Sequence, residues 1–203
     1  MLVRMCFLLQ LAIVLLLNIV VFCFCGMVDR TAKRLHIQAG SVAAFCTLLL
    51  FLSAFTVSVG DKASVSPAGL MLLLVCAMLC QGGPDIVNAV LLAIPAGVSG
   101  WLLCRFYPNV YEPGAFIAIP AVLFSYFAFR RKRQALLCAV MAPVIFALCA
   151  SIEDACLFGM VYISIGSKAV LDAQIAAMIG LSLLWYLPER WRVRTKNMRL
   201  AKN

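Results

Sequence analysis

Long, continuously apolar runs recur from end to end of this 203-residue chain. They lie at roughly 5–27, 39–59, 67–80, 86–104, 115–129, 134–151 and 170–187, a length scale set by the roughly 20 residues that a helix needs to cross a bilayer. Residues 155–166 are also apolar but too short to span, and read as a partial or re-entrant element. Hydrophobic residues make up 65% of the chain, whereas a soluble domain is usually about half apolar. No stretch is left over to bury a soluble core of its own. A transmembrane β-barrel would show alternating strands, and these runs do not alternate. The sequence therefore predicts an all-α, polytopic transmembrane helical bundle of about six to seven spans.

The first run, "MLVRMCFLLQLAIVLLLNIVVFCFCG", is longer than the roughly 7–15-residue core of a signal peptide and lacks a small-residue cleavage site. It reads as a retained helix. Residues 1–188 form a single transmembrane helical domain, followed by a basic tail over 189–203.

Lysine and arginine sort sharply. Three lie at Arg30, Lys33 and Arg34, four at Arg130, Arg131, Lys132 and Arg133, and six in the tail from Arg190 to Lys202, together 13 of the 17. The positive-inside rule places these clusters in the cytoplasm. Seven spans then alternate without conflict, with the N-terminus outside and the C-terminus inside. The net charge of +9 is accounted for by this bias and by anionic lipid headgroups. Membrane lipids are the expected surroundings and nucleic acid is not an expected partner. The protein is expected in the plasma membrane as a multi-pass protein.

Cofactor chemistry finds few ligands. The ten cysteines fall almost entirely within apolar runs and form no paired CxxC knuckles of the zinc type. Cys76 and Cys80, one helical turn apart, read as small packing residues. His36 is the only histidine, which removes a His-based metal site and a Ser-His-Asp triad. No metal and no cofactor is expected.

The acids are few: Asp29, Asp61, Asp85, Glu112, Glu153, Asp154, Asp172 and Glu189. Acids at membrane depth are functional candidates by default. Asp29 ends the first run and Asp85 opens the fourth, and the topology puts both on the cytoplasmic face. Asp61 falls in the loop on the other side. Each has a plainer reading. Pro84 and Asp85 suit a helix start, the acid favoured by the helix dipole. Asp29 beside Arg30, Lys33 and Arg34 suits an interfacial ion pair, and Glu153-Asp154 suits the outer end of the sixth span. Together, Asp29 and Asp85 suggest more. Two carboxylates brought close share a proton, so that one acts as general base on water and the other as general acid.

The stretch "CGMVDRTAKRLHIQAG" resembles the first motif of the type IV prepilin peptidases and their preflagellin relatives, an Asp at the cytoplasmic end of a helix followed by a basic stretch. "QGGPDIVNAVLLAIPAG" resembles their second, Gly-x-Gly-Asp-x-Lys. The resemblance covers about residues 5–130. It implies that Asp29 and Asp85 are catalytic and that Gly82, with Gly83 and Pro84, shapes the loop. Pro84 stands where the family has Gly or Ala, Val87 where it has Lys, and Leu35-His36-Ile37 where Ile-Pro-Asn is common. The resemblance implies a short, peptidase-only membrane aspartic protease of the bacterial inner membrane. Its substrate would be a prepilin-like protein with a basic leader and an apolar helix. The residues also permit a non-catalytic membrane protein (a small-solute transporter subunit or an envelope scaffold) or an inactive diverged member of the family.

Overall fold

The structure, a computed structural model, describes residues 16–17, 19–20, 39–55, 57–59, 63–80, 82–107, 113–129, 131–159, 163–164 and 167–200. Six helices dominate it: α1 (Ala39–Ser53), α2 (Pro67–Leu79), α3 (Gly83–Phe106), α4 (Pro113–Ala128), α5 (Lys132–Phe158) and α6 (Lys168–Leu200). Of these, α3 and α5 are long and apolar enough to cross a membrane. The first apolar run lies almost wholly outside the described residues.

Helix starts follow local chemistry. Pro67 opens α2 after Ser66, and Gly82 precedes α3 with Pro84 in the first turn, where a missing N–H costs nothing. Polar side chains within the helices turn back on their own backbone. Thr47 donates to the Ala43 carbonyl, Ser99 to that of Ala96 and Ser151 to that of Ala147, so these three hydroxyls are not stranded in apolar surroundings. Pro95, Pro120 and Pro143 sit inside α3, α4 and α5. Near Pro143, which has no N–H to offer, the buried Gln174 amide donates to the Val140 carbonyl at 3.1 Å.

Not everything is helical. After Ser53 the chain forms β1 (Val57–Val59), which pairs antiparallel with β2 (Ala63–Val65), Val57 opposite Val65. A third strand, β3 (Ile163–Ser164), lies parallel to β2 on its other side. The expected all-α run over 39–59 is thus cut short. Val-Ser-Val and Ala-Ser-Val alternate with the two-residue period of a strand. The expected end of the sixth span at 151 is also corrected. Helix α5 continues through Glu153 and Asp154 and stops at Gly159, whose φ of 66° is left-handed and is readily adopted by glycine. Within 155–166, therefore, residues 155–158 are helix and 163–164 are strand. Helix α6 likewise continues past residue 188 into the basic stretch.

Packing runs opposite to that of a soluble bundle. The buried core is rich in small residues: Ala89, Ala93 and Ala96 of α3, Ala118 and Ala121 of α4, and Ala135, Cys138, Ala139 and Ala142 of α5. Many large apolar side chains point outward, Met78 being 84% exposed and Phe127 79%, although Leu72, Ile117 and Leu181 are buried. A water-facing surface would carry polar groups there, whereas small interior residues let helices approach closely within a bilayer. Helix α5 is central and packs against α2, α3, α4 and α6.

The helices alternate in direction, so the bundle has two distinct ends. The sheet, the C-termini of α3 and α5 and the N-termini of α2 and α6 share one end. The N-termini of α1, α3 and α5 share the other.

Candidate functional site

Asp85 sits in the first turn of α3 at the end opposite the sheet. Its backbone N–H donates to the Gly82 carbonyl at 3.2 Å, closing the turn that presents the side chain. Gly82 is extended, with φ −178°, a conformation open to any residue. A Cβ added at Gly83 would meet nothing, and one at Gly82 only Pro84 Cδ at 3.6 Å. The turn therefore rests on Pro84 and the helix start, without a spatial demand for either glycine.

Donors from α5 and from Arg131, which caps its start, meet the carboxylate. Arg131 Nη1 lies 3.2 Å from Oδ1 and 3.1 Å from Oδ2, and Gln134 Nε2 donates to Oδ1 at 2.6 Å. Asp85 is 21% exposed and Arg131 73%. Exposure holds the ion pair to about 0–1 kcal/mol. Two other helices close on the same place. The Cys80 thiol at the end of α2 lies 3.8 Å from the Arg133 carbonyl, and Lys132 Nζ sits 5.7 Å from the centroid of the Trp185 ring of α6. A cavity of about 290 Å³ opens here, lined by Asp85, Arg131, Lys132, Arg133 and Gln134.

At the opposite end the same two helices carry a second polar cluster. Arg105 forms an ion pair with Glu153, and Trp101 Nε1 donates to the other Glu153 oxygen at 2.8 Å. Asp85 and Arg105 are twenty residues apart on α3, and Arg133 and Glu153 are twenty apart on α5, with no charged residue between them on either helix. At 1.5 Å per residue each interval is about 30 Å, the thickness of a bilayer's hydrocarbon core. Each cluster also includes a tryptophan, Trp185 or Trp101, the residue that concentrates at membrane interfaces.

Asp85, Gly82, Gly83 and Pro84 thus lie at one helix end beside a cavity, while Asp29 and Asp61 lie outside the described residues. Glu153 is engaged within the far cluster. Asp172 is buried near the start of α6. Sequence reasoning missed Arg131 and Gln134 as partners of Asp85, having read the basic run only as a topology signal. A signal was present in Gln134, an isolated amide following four cations at the start of an apolar run.

No known family, no curated protein and no solved structure matches this chain.

Proposed function

We propose that this protein is a membrane-embedded aspartic endopeptidase that removes the basic leader of a prepilin-like substrate at the cytoplasmic face of the bacterial inner membrane. The observation that carries the reading is the position of Asp85. Its carboxylate stands at a cavity mouth, in the first turn of a helix long enough to span, at the depth where a leader would join an apolar segment. Asp29 precedes α1 by ten residues, and α1 begins at the same end of the bundle as α3. In the reaction, one aspartate takes a proton from water as the water oxygen attacks the scissile carbonyl carbon. The other donates its proton, and the C–N bond breaks with the amine departing protonated. The apolar substrate helix, rather than the basic loops, provides recognition, because a basic leader gains nothing from Arg131, Lys132 and Arg133.

Co-expression with a prepilin-like substrate tests this. Wild type releases the leader, and Asp29→Asn and Asp85→Asn each abolish release. Equal cleavage by all three proteins refutes the mechanism.

A second reading is favoured by a specific observation: both Asp85 oxygens are bonded from the start of α5. In it the chain is a non-catalytic membrane protein, a solute-transporter subunit or scaffold, and Asp85 joins α3 to α5. Asp85→Asn then lowers thermal stability but leaves function intact.

A further inference from the structure

We propose that the cavity between the N-terminal turns of α3 and α5 holds the phosphate of an anionic membrane phospholipid, gripped by Lys132 and Arg133. Three cations and one carboxylate line the cavity. Asp85 is engaged by Arg131 and Gln134, which leaves the positive charge of the other two cations unmatched. Among the described residues no carboxylate lies within ion-pair distance of Lys132 or Arg133. Both side chains are exposed, so their ammonium and guanidinium donors are available to a phosphodiester, which both groups recognise well.

The depth is that of a headgroup. The cavity lies at the end of two membrane-length helices, about 30 Å along the helix axes from the Arg105–Glu153 cluster. Lys132 stands against Trp185, an interfacial residue type. What favours a lipid over a free anion is the exposed apolar surface at the same end of the bundle. Met78 and Leu79, next to Cys80, and Phe127, four residues before Arg131, are all exposed. Acyl chains anchored by the phosphate can cover such a surface, and a free phosphate cannot.

The proposal is independent of the peptidase reading, since its test reads no cleavage. The full-length protein is delipidated in a neutral detergent and titrated with dihexanoyl phosphatidylglycerol, dihexanoyl phosphatidylcholine or inorganic phosphate, following the thermal midpoint. Phosphatidylglycerol raises the wild-type midpoint saturably, and the other two do not at matched concentration. The double variant Lys132→Gln/Arg133→Gln binds phosphatidylglycerol about 30-fold more weakly, roughly fivefold for each cation lost. Arg190→Gln/Arg192→Gln removes the same charge from the tail and keeps wild-type affinity. If the double variant unfolds without lipid, Arg133→Gln alone replaces it, with a loss of about fivefold. Undiminished binding by the cavity variant, or an equal response to phosphatidylcholine, overturns the proposal. An equal response to inorganic phosphate overturns it in favour of a free-anion site.

Discussion

Gly97 is the tightest point between α3 and α5, and a single methyl group tests the packing there. A Cβ added at Gly97 would stand 2.6 Å from Ile145 Cβ, 2.7 Å from the Ala142 carbonyl oxygen and 2.9 Å from Ile145 Cγ2. The isoleucine has limited room to turn, because its own Cβ is one of the atoms struck. The carbonyl belongs to the backbone of α5 and cannot move without the helix. Relief requires α3 and α5 to separate by several tenths of an ångström, which loosens the neighbouring alanine contacts. Overpacking of this kind costs about 1–3 kcal/mol, and replacing a helical glycine by alanine returns at most about 1 kcal/mol. Gly97→Ala is therefore expected to destabilise by about 1–2 kcal/mol, with about 2–4 °C in the thermal midpoint for each kcal/mol in a chain of this size. Two other glycines of the same helix supply controls. A Cβ at Gly100 would meet Pro120 Cγ at 3.5 Å, an ordinary contact, and one at Gly83 would meet nothing within 4 Å. Thermal unfolding in detergent should rank Gly97→Ala below Gly100→Ala, with Gly83→Ala at or above wild type. A Gly97→Ala midpoint equal to that of Gly100→Ala would falsify the close approach of α3 and α5.

Other expectations follow from the two polar clusters and the buried amide. Arg131→Ala should cost under about 1 kcal/mol, the pair being exposed, and 0.5 M NaCl should shrink that loss to near zero in melting experiments. Gln134→Ala removes a short bond to a carboxylate and should cost about 1.5–3 kcal/mol, with little response to salt. Trp101→Phe keeps the ring but deletes the donor to Glu153, and a loss of about 1 kcal/mol is expected in the same assay. Gln174→Met should stay within about 1 kcal/mol of wild type, because one unmade acceptor, Gln174 Oε1, is removed along with the donor to Val140. A collapse of the fold in that variant would mean that the amide does more than bridge α5 and α6.

The length and composition of the apolar runs made the helical architecture legible. Asp85 was readable as a helix-start acid because Pro84 and the following apolar run mark the boundary. The short sheet was harder to see, since Val57–Val59 continues an apolar stretch without a break in hydropathy. Glu153 and Asp154 looked like a helix end because charge is costly in lipid. Helix α5 runs past them because Arg105 and Trp101, about fifty residues earlier in the chain, engage Glu153.

The sequence alone determined that this chain is built mainly of apolar helices, some long enough to cross a membrane, and that its charges gather at the ends of apolar segments. Hydropathy suffices for that, because crossing a bilayer requires a minimum apolar length and penalises charge within it. Tertiary structure decided which face of each helix packs inward and which charges meet. Helices that are apolar all round have no polar face to mark the outside, so only shape can select the alanine and glycine faces that pack. Arg131 and Gln134 lie 46 and 49 residues from Asp85, and only the packing of α3 on α5 brings them to its carboxylate.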